Sequence, residues 1–445
     1  MFRTALPFFS LLVLGFSVCL CAAEPDLANY PRSQGEIKAM IQMLAPKKGT
    51  GASVENEYMQ RLKQHRYIVG VPYEELTWDE TDANLAKHAA IVDAKLNKLT
   101  HNPEHPPGMS DADYELGKEG AGQSNLFEGL TVPTRCVDEW MDDSDKSNID
   151  RVGHRRWCIN PSMLKTGFGA SGNFAAMFAF DKSNKNVPDC DFVTYPARGY
   201  MPIQFFGSKY AWSVSPNMSK FEVPVQADIS VAIQAVDSEL KPVTGSAPLK
   251  LDYYHVDTGG FGSGPAIIFR PDSFKFDHDS IFRVDITGLK LKNGGAAPLS
   301  YIVHFVNLQK IPDSPETTAV YTRYFKPRFA AAQALADRVD QWQALNELYD
   351  DEGLKLTEPA FVATVTKALT ELNKEPTLRR EQEALTRYKS ISDADKKTPK
   401  KKDKKDDTAR VQIALAYRGL AENYKETRAG KKAAEEFERW KKEIQ

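Results

Sequence analysis

Gly153-His154-Arg155-Arg156-Trp157-Cys158-Ile159-Asn160-Pro161, followed shortly by Gly167-Phe168-Gly169, is the stretch on which the fold of this chain turns. It places a titratable imidazole, two guanidinium groups, a large aromatic and a thiol within a few residues of one another. A Pro-bounded turn follows, and then Phe174, Met177, Phe178 and Phe180 read as a buried strand or strand pair. So dense a polar and aromatic set beside a core strand points to a site. The question it poses is what His154 faces.

Upstream the period is helical. Ile37, Met40, Ile41 and Leu44 mark a short helix, and Lys47-Lys48-Gly49-Thr50-Gly51 reads as a linker. A helix over 54–69 carries Tyr58, Leu62, His65 and Val69 on one face, and Gly70-Val71-Pro72 stops it. Thr77 or Asp79 then caps a helix that runs to about Leu99, with Leu85, His88, Ala89, Val92 and Leu96 facing the core. A polar, Pro-rich loop (His101 to Gly108) leads to Gln123-Ser124-Asn125-Leu126-Phe127. A helix over 133–141 follows, and the acidic loop Asp142-Asp143-Ser144-Asp145 delivers the chain to His154.

Downstream the period changes to two. Phe221, Val223, Val225, Ala227, Ile229, Val231, Ile233 and Ala235 alternate as two strands, and further strands are expected over 250–254, 266–269, 281–286 and 301–306. This spacing suggests an antiparallel sandwich of immunoglobulin-like type. The run Gly259 to Gly264 lacks a βαβ setting and a following Lys-Ser/Thr, so it reads as a hairpin loop. Beyond Thr317 the chain is helical, over 329–348, 358–372, 378–388 and 411–444. The Lys/Asp-rich segment 393–407 is expected to be a disordered, solvated loop. Tyr417, Leu420, Ala421, Tyr424, Ala433 and Phe437 match the spacing of one tetratricopeptide repeat, so 411–445 resembles a single repeat-like hairpin.

At 445 residues the chain exceeds a single core, and its 58 Lys+Arg against 60 Asp+Glu leave no global field to steer it onto nucleic acid. Arg3, an apolar run over 6–20 and Cys21-Ala22-Ala23 read as a signal peptide over 1–23, which predicts a secreted or periplasmic protein with no transmembrane segment after cleavage. The mature chain then keeps Cys136, Cys158 and Cys190. In an oxidising compartment Cys158–Cys190 is the favoured bridge, since both flank the same strand region, with three unpaired thiols as the alternative. Such a bridge would contribute about 3–4 kcal/mol.

From about 54 to 180 the order of motifs resembles the CAP superfamily, also called SCP: cysteine-rich secretory proteins, antigen 5 and plant pathogenesis-related proteins. The resemblance rests on Gly70-Val71-Pro72 with Leu76-Thr77-Trp78-Asp79, Ala86-Lys87-His88-Ala89 and Leu99-Thr100-His101. It continues through Gly122-Gln123-Ser124-Asn125-Leu126, Glu139-Trp140-Met141-Asp142-Asp143, Gly153-His154-Arg155 and Thr166-Gly167-Phe168-Gly169. It implies an α-β-α sandwich with an open cleft lined by two His and two acids that can hold a divalent metal. His101 and His154 fall on the two His positions and Asp143 on the second acid. Ser124 stands where the family has Glu. Chemically, His101, His154 and Asp143 suit Zn²⁺, with ligands at about 2.0–2.2 Å and an open fourth position. Glu104, Glu119 and Glu128 are stand-ins for the missing acid, and His105 competes with His101. A hydrolase reading instead takes Ser124 as nucleophile, His154 as base and Asp143 as its orienter, with no nucleophile-elbow motif to frame the serine.

Arg155 and Arg156 have two readings. Either Arg155 stands at the cleft rim, where its fork binds a carboxylate or phosphate, or both pair structurally with Asp142, Asp143 or Asp145. Trp140, Trp157 and His88 read as core.

The expected architecture is multidomain α+β. A helix and linker over 24–51 precede the CAP domain over 52–216, a sandwich over 217–312 and a helical domain over 313–445. The expected function is a secreted, non-catalytic binding protein that requires no cofactor. Its cleft residues His101, Ser124, Asp143, His154 and Arg155 would meet an envelope or extracellular glycan, lipid or peptide, and its C-terminal helices a protein partner. The alternatives are a metal-dependent or Ser/His hydrolase and a structural envelope protein.

Overall fold

The structure is a computed structural model that describes residues 30–46, 53–397 and 407–444. The expected signal peptide and the residues 398–406 of the Lys/Asp-rich segment lie outside the described residues. In chain order the first elements are α1 (Gln34–Met43), α2 (Val54–Val69), β1 (Thr77–Trp78), α3 (Glu80–Leu96), α4 (Asp111–Gln123), β2 (Ser124–Glu128), α5 (Pro133–Asp142) and α6 (Gly153–Cys158). Strands β3 (Lys165–Thr166), β4 (Phe168–Ser171), β5 (Phe174–Phe178), β6 (Phe192–Tyr195), β7 (Gly199–Pro202) and β8 (Trp212–Pro216) follow. Next come β9 (Ser230–Val236), β10 (Leu251–Asp257), β11 (Ala266–Pro271), β12 (Ile281–Thr287) and β13 (Leu299–Val306). The chain ends in α7 (Pro315–Gln333), α8 (Arg338–Asp350), α9 (Pro359–Leu372), α10 (Pro376–Lys397), α11 (Asp407–Asn423) and α12 (Arg428–Ile444).

The described residues fall into two compact units. One draws on Met1–Pro31, Asp142–Asn160 and Pro188–Phe305, the other on Arg32–Met141, Pro161–Val187 and Val306–Gln445.

In the second unit, the sheet β2-β5-β4 forms the middle layer of an α-β-α arrangement. Ala86 and Ala89 of α3 meet Ala121, Leu126 and Ala176 on one side of it. On the other side Phe168 stacks on Tyr58 of α2 and lies edge-on to Trp140 of α5. Asp79 caps α3 as expected, accepting from the amides of Thr81 and Asp82 at 2.9 and 3.1 Å. Helix α4 was not expected. Three glycines in thirteen residues suggest a loop, yet a Cβ on Gly120 would sit 2.1 Å from the Leu85 carbonyl oxygen. Those glycines let α4 lie directly on the backbone of α3.

The C-terminal helices belong to the same unit. α7 docks on α1 through Lys38, which donates to the Ile311 carbonyl and the Asp313 carboxylate at 2.6 and 2.7 Å. The expected single helix over 329–348 is two, α7 and α8. Residues 393–397, expected to be disordered, continue α10 as helix. Asp395 there is buried and accepts from Tyr417 Oη, Trp440 Nε1 and Arg439 Nη2 at 3.1, 3.1 and 2.7 Å. Glu381 of α10 also caps α12, accepting from the amides of Arg428 and Ala429 at 2.9 and 3.1 Å. Asp395→Ala strands three donors, two of them buried, and is expected to cost about 2–3 kcal/mol. Hydrogen exchange should show the loss of protection confined to α10–α12.

The first unit holds two four-stranded sheets, β10-β11-β8-β6 and β7-β13-β12-β9. Trp212 of β8 is fully buried between them, with ring centroids 5.5–6.4 Å from Phe269, Phe274, Phe282 and Phe305. The boundary expected at 216/217 therefore cuts through these two sheets, because β6, β7 and β8 already belong to them. The strand expected from Phe221 to Ala227 is absent. Pro224 cannot donate to a ladder, and Val223 and Val225 are 53% and 56% exposed. Residues 142–160 pack on the β10-β11-β8-β6 sheet, where Ile149 and Val152 join Ala211, Ala266 and Ile268 in one cluster.

Cys158 and Cys190 are not bridged; both are thiols. Of the strands between them, β3 pairs with β1, β5 with β2, and β4 with β5. Burial pushes the Cys136 thiol up to about 12, so it stays protonated and inert.

Candidate functional site

The stretch around His154 folds as a short helix, α6, entered through unusual backbone. Val152 just before it adopts the left-handed conformation (φ 40°, ψ 48°), and Asp143 has φ 47°. A β-branched residue there costs on the order of 1–3 kcal/mol and persists only where its surroundings hold it. Here Val152 is fully buried in its cluster.

The Asp143 side chain, 3% exposed, binds the start of α6 with both oxygens. Oδ1 meets His154 Nδ1 at 2.8 Å, and Oδ2 accepts the Arg155 amide at 3.2 Å. A carboxylate on Nδ1 selects the tautomer protonated there, which leaves the lone pair on Nε2. His154 retains 20% side-chain exposure, whereas every other residue from Val152 to Asn160 is buried.

Both neighbouring arginines are sealed, so the rim position expected for Arg155 is corrected to a structural one. Its Nη1 donates to the Ala211 carbonyl at 2.7 Å and to Ser213 Oγ at 3.1 Å, and Nη2 donates to the Asp142 carbonyl. The guanidinium lies 4.8 Å above the Tyr195 ring. Burial lowers the pKa of Arg155, while Tyr195, Asp143 and Asp142 pull it back up. Arg156 donates to Asp257 and to the carbonyls of Arg151, Gly259 and Gly264. The Gly259–Gly264 segment is the hairpin loop expected from its sequence, and its carbonyls serve as an acceptor cradle. Arg155 Nη2 also reaches Ser144 Oγ of the 142–145 loop at 3.5 Å. The two guanidinium groups donate chiefly to backbone carbonyls, with the Asp257 carboxylate accepting from Arg156.

In the second unit, His101 is exposed in the loop after α3, and its Nδ1 sits 2.8 Å from the Ala121 carbonyl. His105 is engaged at the start of α4, 3.2 Å from Asp111 and against the Tyr114 ring. Ser124 opens β2, is 3% exposed, and its buried hydroxyl has no hydrogen-bond partner among the described residues. Glu104, Glu119 and Glu128 are exposed. His88 is half-buried rather than core, lying 3.5 Å from Asp113. The structure thus brings Asp143 and His154 together within one unit; His101 and Ser124 belong to the other.

Of the zinc set that the resemblance implies, Asp143 and His154 come together within their own unit. Asp143 directs both oxygens to N–H groups of its own unit, and Ser124 offers a hydroxyl in place of a carboxylate. Among the described residues no group of three or more His, Cys, Asp and Glu gathers as a metal site. Asp143 acts as the support that orients an imidazole, a role equally familiar behind metal ligands and catalytic bases.

Two features were overlooked in the sequence. Asp138 binds Arg61 Nε at 2.7 Å and His65 Nε2 at 2.8 Å; burial pushes its pKa up, but His65 and Arg61 outweigh this and hold it below the usual range. Asp93 lies three and four residues after Ala90 and Ala89, a spacing that could have placed it in the core. It is 1% exposed, with Oδ1 accepting the Thr100 amide at 3.3 Å and Oδ2 without a partner among the described residues. Burial pushes its pKa up to about 7, against the Thr100 hydrogen bond and with help from Glu128. The folded state therefore keeps a proton that the unfolded chain loses near pH 4, so stability declines as pH rises from about 4 to about 7. Asp93→Asn should remove most of that decline, a gain of about 2–4 kcal/mol at about pH 8 and little change at about pH 4. Thermal midpoints of both proteins across this range check it.

Searches of curated proteins and of solved structures returned no match. Residues 65–180 match the family model CAP, described as the cysteine-rich secretory protein family. The three-layer arrangement around β2-β5-β4 and the carboxylate-keyed His154 fall within this span, and the chain carries a domain of the CAP superfamily.

Proposed function

We propose that this is an extracytoplasmic binding protein whose CAP domain presents the Nε2 edge of His154 to an envelope or extracellular ligand. A single observation carries the reading. In a stretch where Asp143, Arg155 and Arg156 are sealed, His154 alone stays partly open, held by a buried carboxylate. An imidazole oriented in this way suits a hydroxyl or amide of a glycan, lipid headgroup or peptide. The secretory name of the matching family supports the location, as does the leading apolar run. No helix among the described residues is long and apolar enough to cross a membrane. The two sheets, read as an immunoglobulin-like sandwich, and the repeat-like hairpin α11–α12 would add surface for a protein partner. The reading requires no cofactor.

Equilibrium binding of the mature chain to purified peptidoglycan, to anionic phospholipid vesicles and to a random peptide library tests this. One of these is expected to bind, and His154→Ala to weaken it about tenfold or more. Binding by none of them, or binding indifferent to the substitution, overturns the proposal.

The Asp143–His154 pair also favours a second reading, a hydrolase in which His154 is the base. The buried Ser124 hydroxyl argues against its serine form, since a substrate carbonyl must reach the nucleophile. Turnover of a broad peptide and ester panel that vanishes in His154→Ala would establish this reading in place of the first. Metal analysis of the same preparation distinguishes its metal-dependent form.

A further inference from the structure

A cavity of about 630 Å³ opens among α1, α2, the turn after α2 and α7, all within the second unit. Its size is that of pockets for small organic ligands, which typically run to roughly 300–1,000 Å³. Its wall has a charge surplus. Arg32, Lys63, Arg323 and Arg328 line it, against the acids Glu36 and Glu74. Tyr67, Tyr73 and Tyr324 supply aromatic surface between the charges.

Most of these groups are already engaged. Arg32 donates to the Tyr67 and Ile68 carbonyls and lies 4.8 Å over the Tyr67 ring. Arg323 pairs with Glu36 at 3.1 Å, and Arg328 with Asp351 at 3.4 Å. Tyr73 donates to Glu74 at 3.0 Å. Lys63 is the exception. The residue is partly buried, and its ammonium makes an exposed hydrogen bond to the Glu74 backbone carbonyl at 3.3 Å, with no carboxylate in ion-pair range among the described residues. Burial lowers its pKa below that of an ordinary lysine, with Glu74 raising it in part and Arg66 lowering it further. A lysine without a carboxylate partner, in a wall that carries three more positive groups, calls for an anion. Burial pushes the Tyr67 hydroxyl up to about 12, so it keeps its proton and remains a donor. The surplus positive charge excludes a metal cation as the natural occupant.

We propose that this cavity binds a small organic anion, with its carboxylate or phosphate on Lys63 inside the positive wall and its carbon body against the tyrosine rings. The site shares no residue with the His154 region, so its failure and the failure of that reading are separate results.

Calorimetric titration of the full chain with phenyl phosphate, phenylacetate and neutral benzyl alcohol tests the proposal. At least one anion should bind and benzyl alcohol should not; whichever anion binds tighter identifies the headgroup. Affinity should fall in about 0.3 M NaCl and drop about tenfold in Lys63→Met. Arg323→Met, whose side chain is 71% exposed, provides a second variant that leaves the packing intact and should weaken binding in the same direction. Equal binding of the neutral probe, no binding of either anion, or unchanged affinity in both variants overturns it.

Discussion

Gly167→Ala is expected to be among the most damaging single changes in this protein, lowering stability by about 3 kcal/mol or more. A Cβ at Gly167 would lie 2.1 Å from the Ala83 amide nitrogen and 2.4 Å from its Cα; at Gly169 it would lie 2.2 Å from Lys87 Cα. These are backbone atoms of α3, so no side-chain rotation relieves the clash and the helix must leave the sheet. Phe168 between them points to the opposite face, onto Tyr58 and Trp140. The Gly-Phe-Gly motif is thus a packing device: two flat positions for a helix on one face and one ring for the core on the other. Gly419→Ala, in a helix with nothing within 4 Å, is the control and should stabilise by about 0.5–1 kcal/mol. Thermal and denaturant unfolding of both variants separate backbone contact from helix propensity.

Arg155→Met should cost about 3–5 kcal/mol, because it leaves the Ala211 carbonyl without its side-chain donor, leaves the Asp142 carbonyl to Ser144 Oγ, and removes a charge that faces Asp143. Arg155→Lys should recover only part of this, since an ammonium cannot reach the same set of acceptors in one plane. Loss of soluble protein, or circular dichroism showing collapse of the sheets, would be consistent with the expected size. A change below about 1 kcal/mol would mean that the carbonyls find water instead.

Local patterns carried much of this fold. The Asp79 cap, the apolar stripe of α3 and the alternation that runs into β9 were legible because each depends on near neighbours in sequence. The misreadings share one physical cause, that the deciding partner is remote. The glycines of α4 look like loop until α3 is laid against them, and Asp395 looks like part of a solvated charge run until Tyr417 and Trp440 reach it. Within the run 221–225, Pro224 was a local warning that the alternation masked. At the site, Asp143 and His154 were named from the order of motifs in the resemblance, and the structure places the Asp143 carboxylate 2.8 Å from His154 Nδ1. The burial of Arg155 could not be read, because its acceptor Ala211 lies 56 residues ahead.

That remoteness has a consequence for synthesis. The Arg156 acceptors Gly259 and Gly264 come 103 and 108 residues after it. At roughly 5–20 residues per second, a ribosome needs about 5–20 s to produce them after Arg156 itself. Until then two guanidinium groups and a strained valine wait without the surfaces that hold them. The motif most typical of the CAP segment should therefore be among the last parts of that segment to acquire structure, and the one most dependent on a holding chaperone along the way.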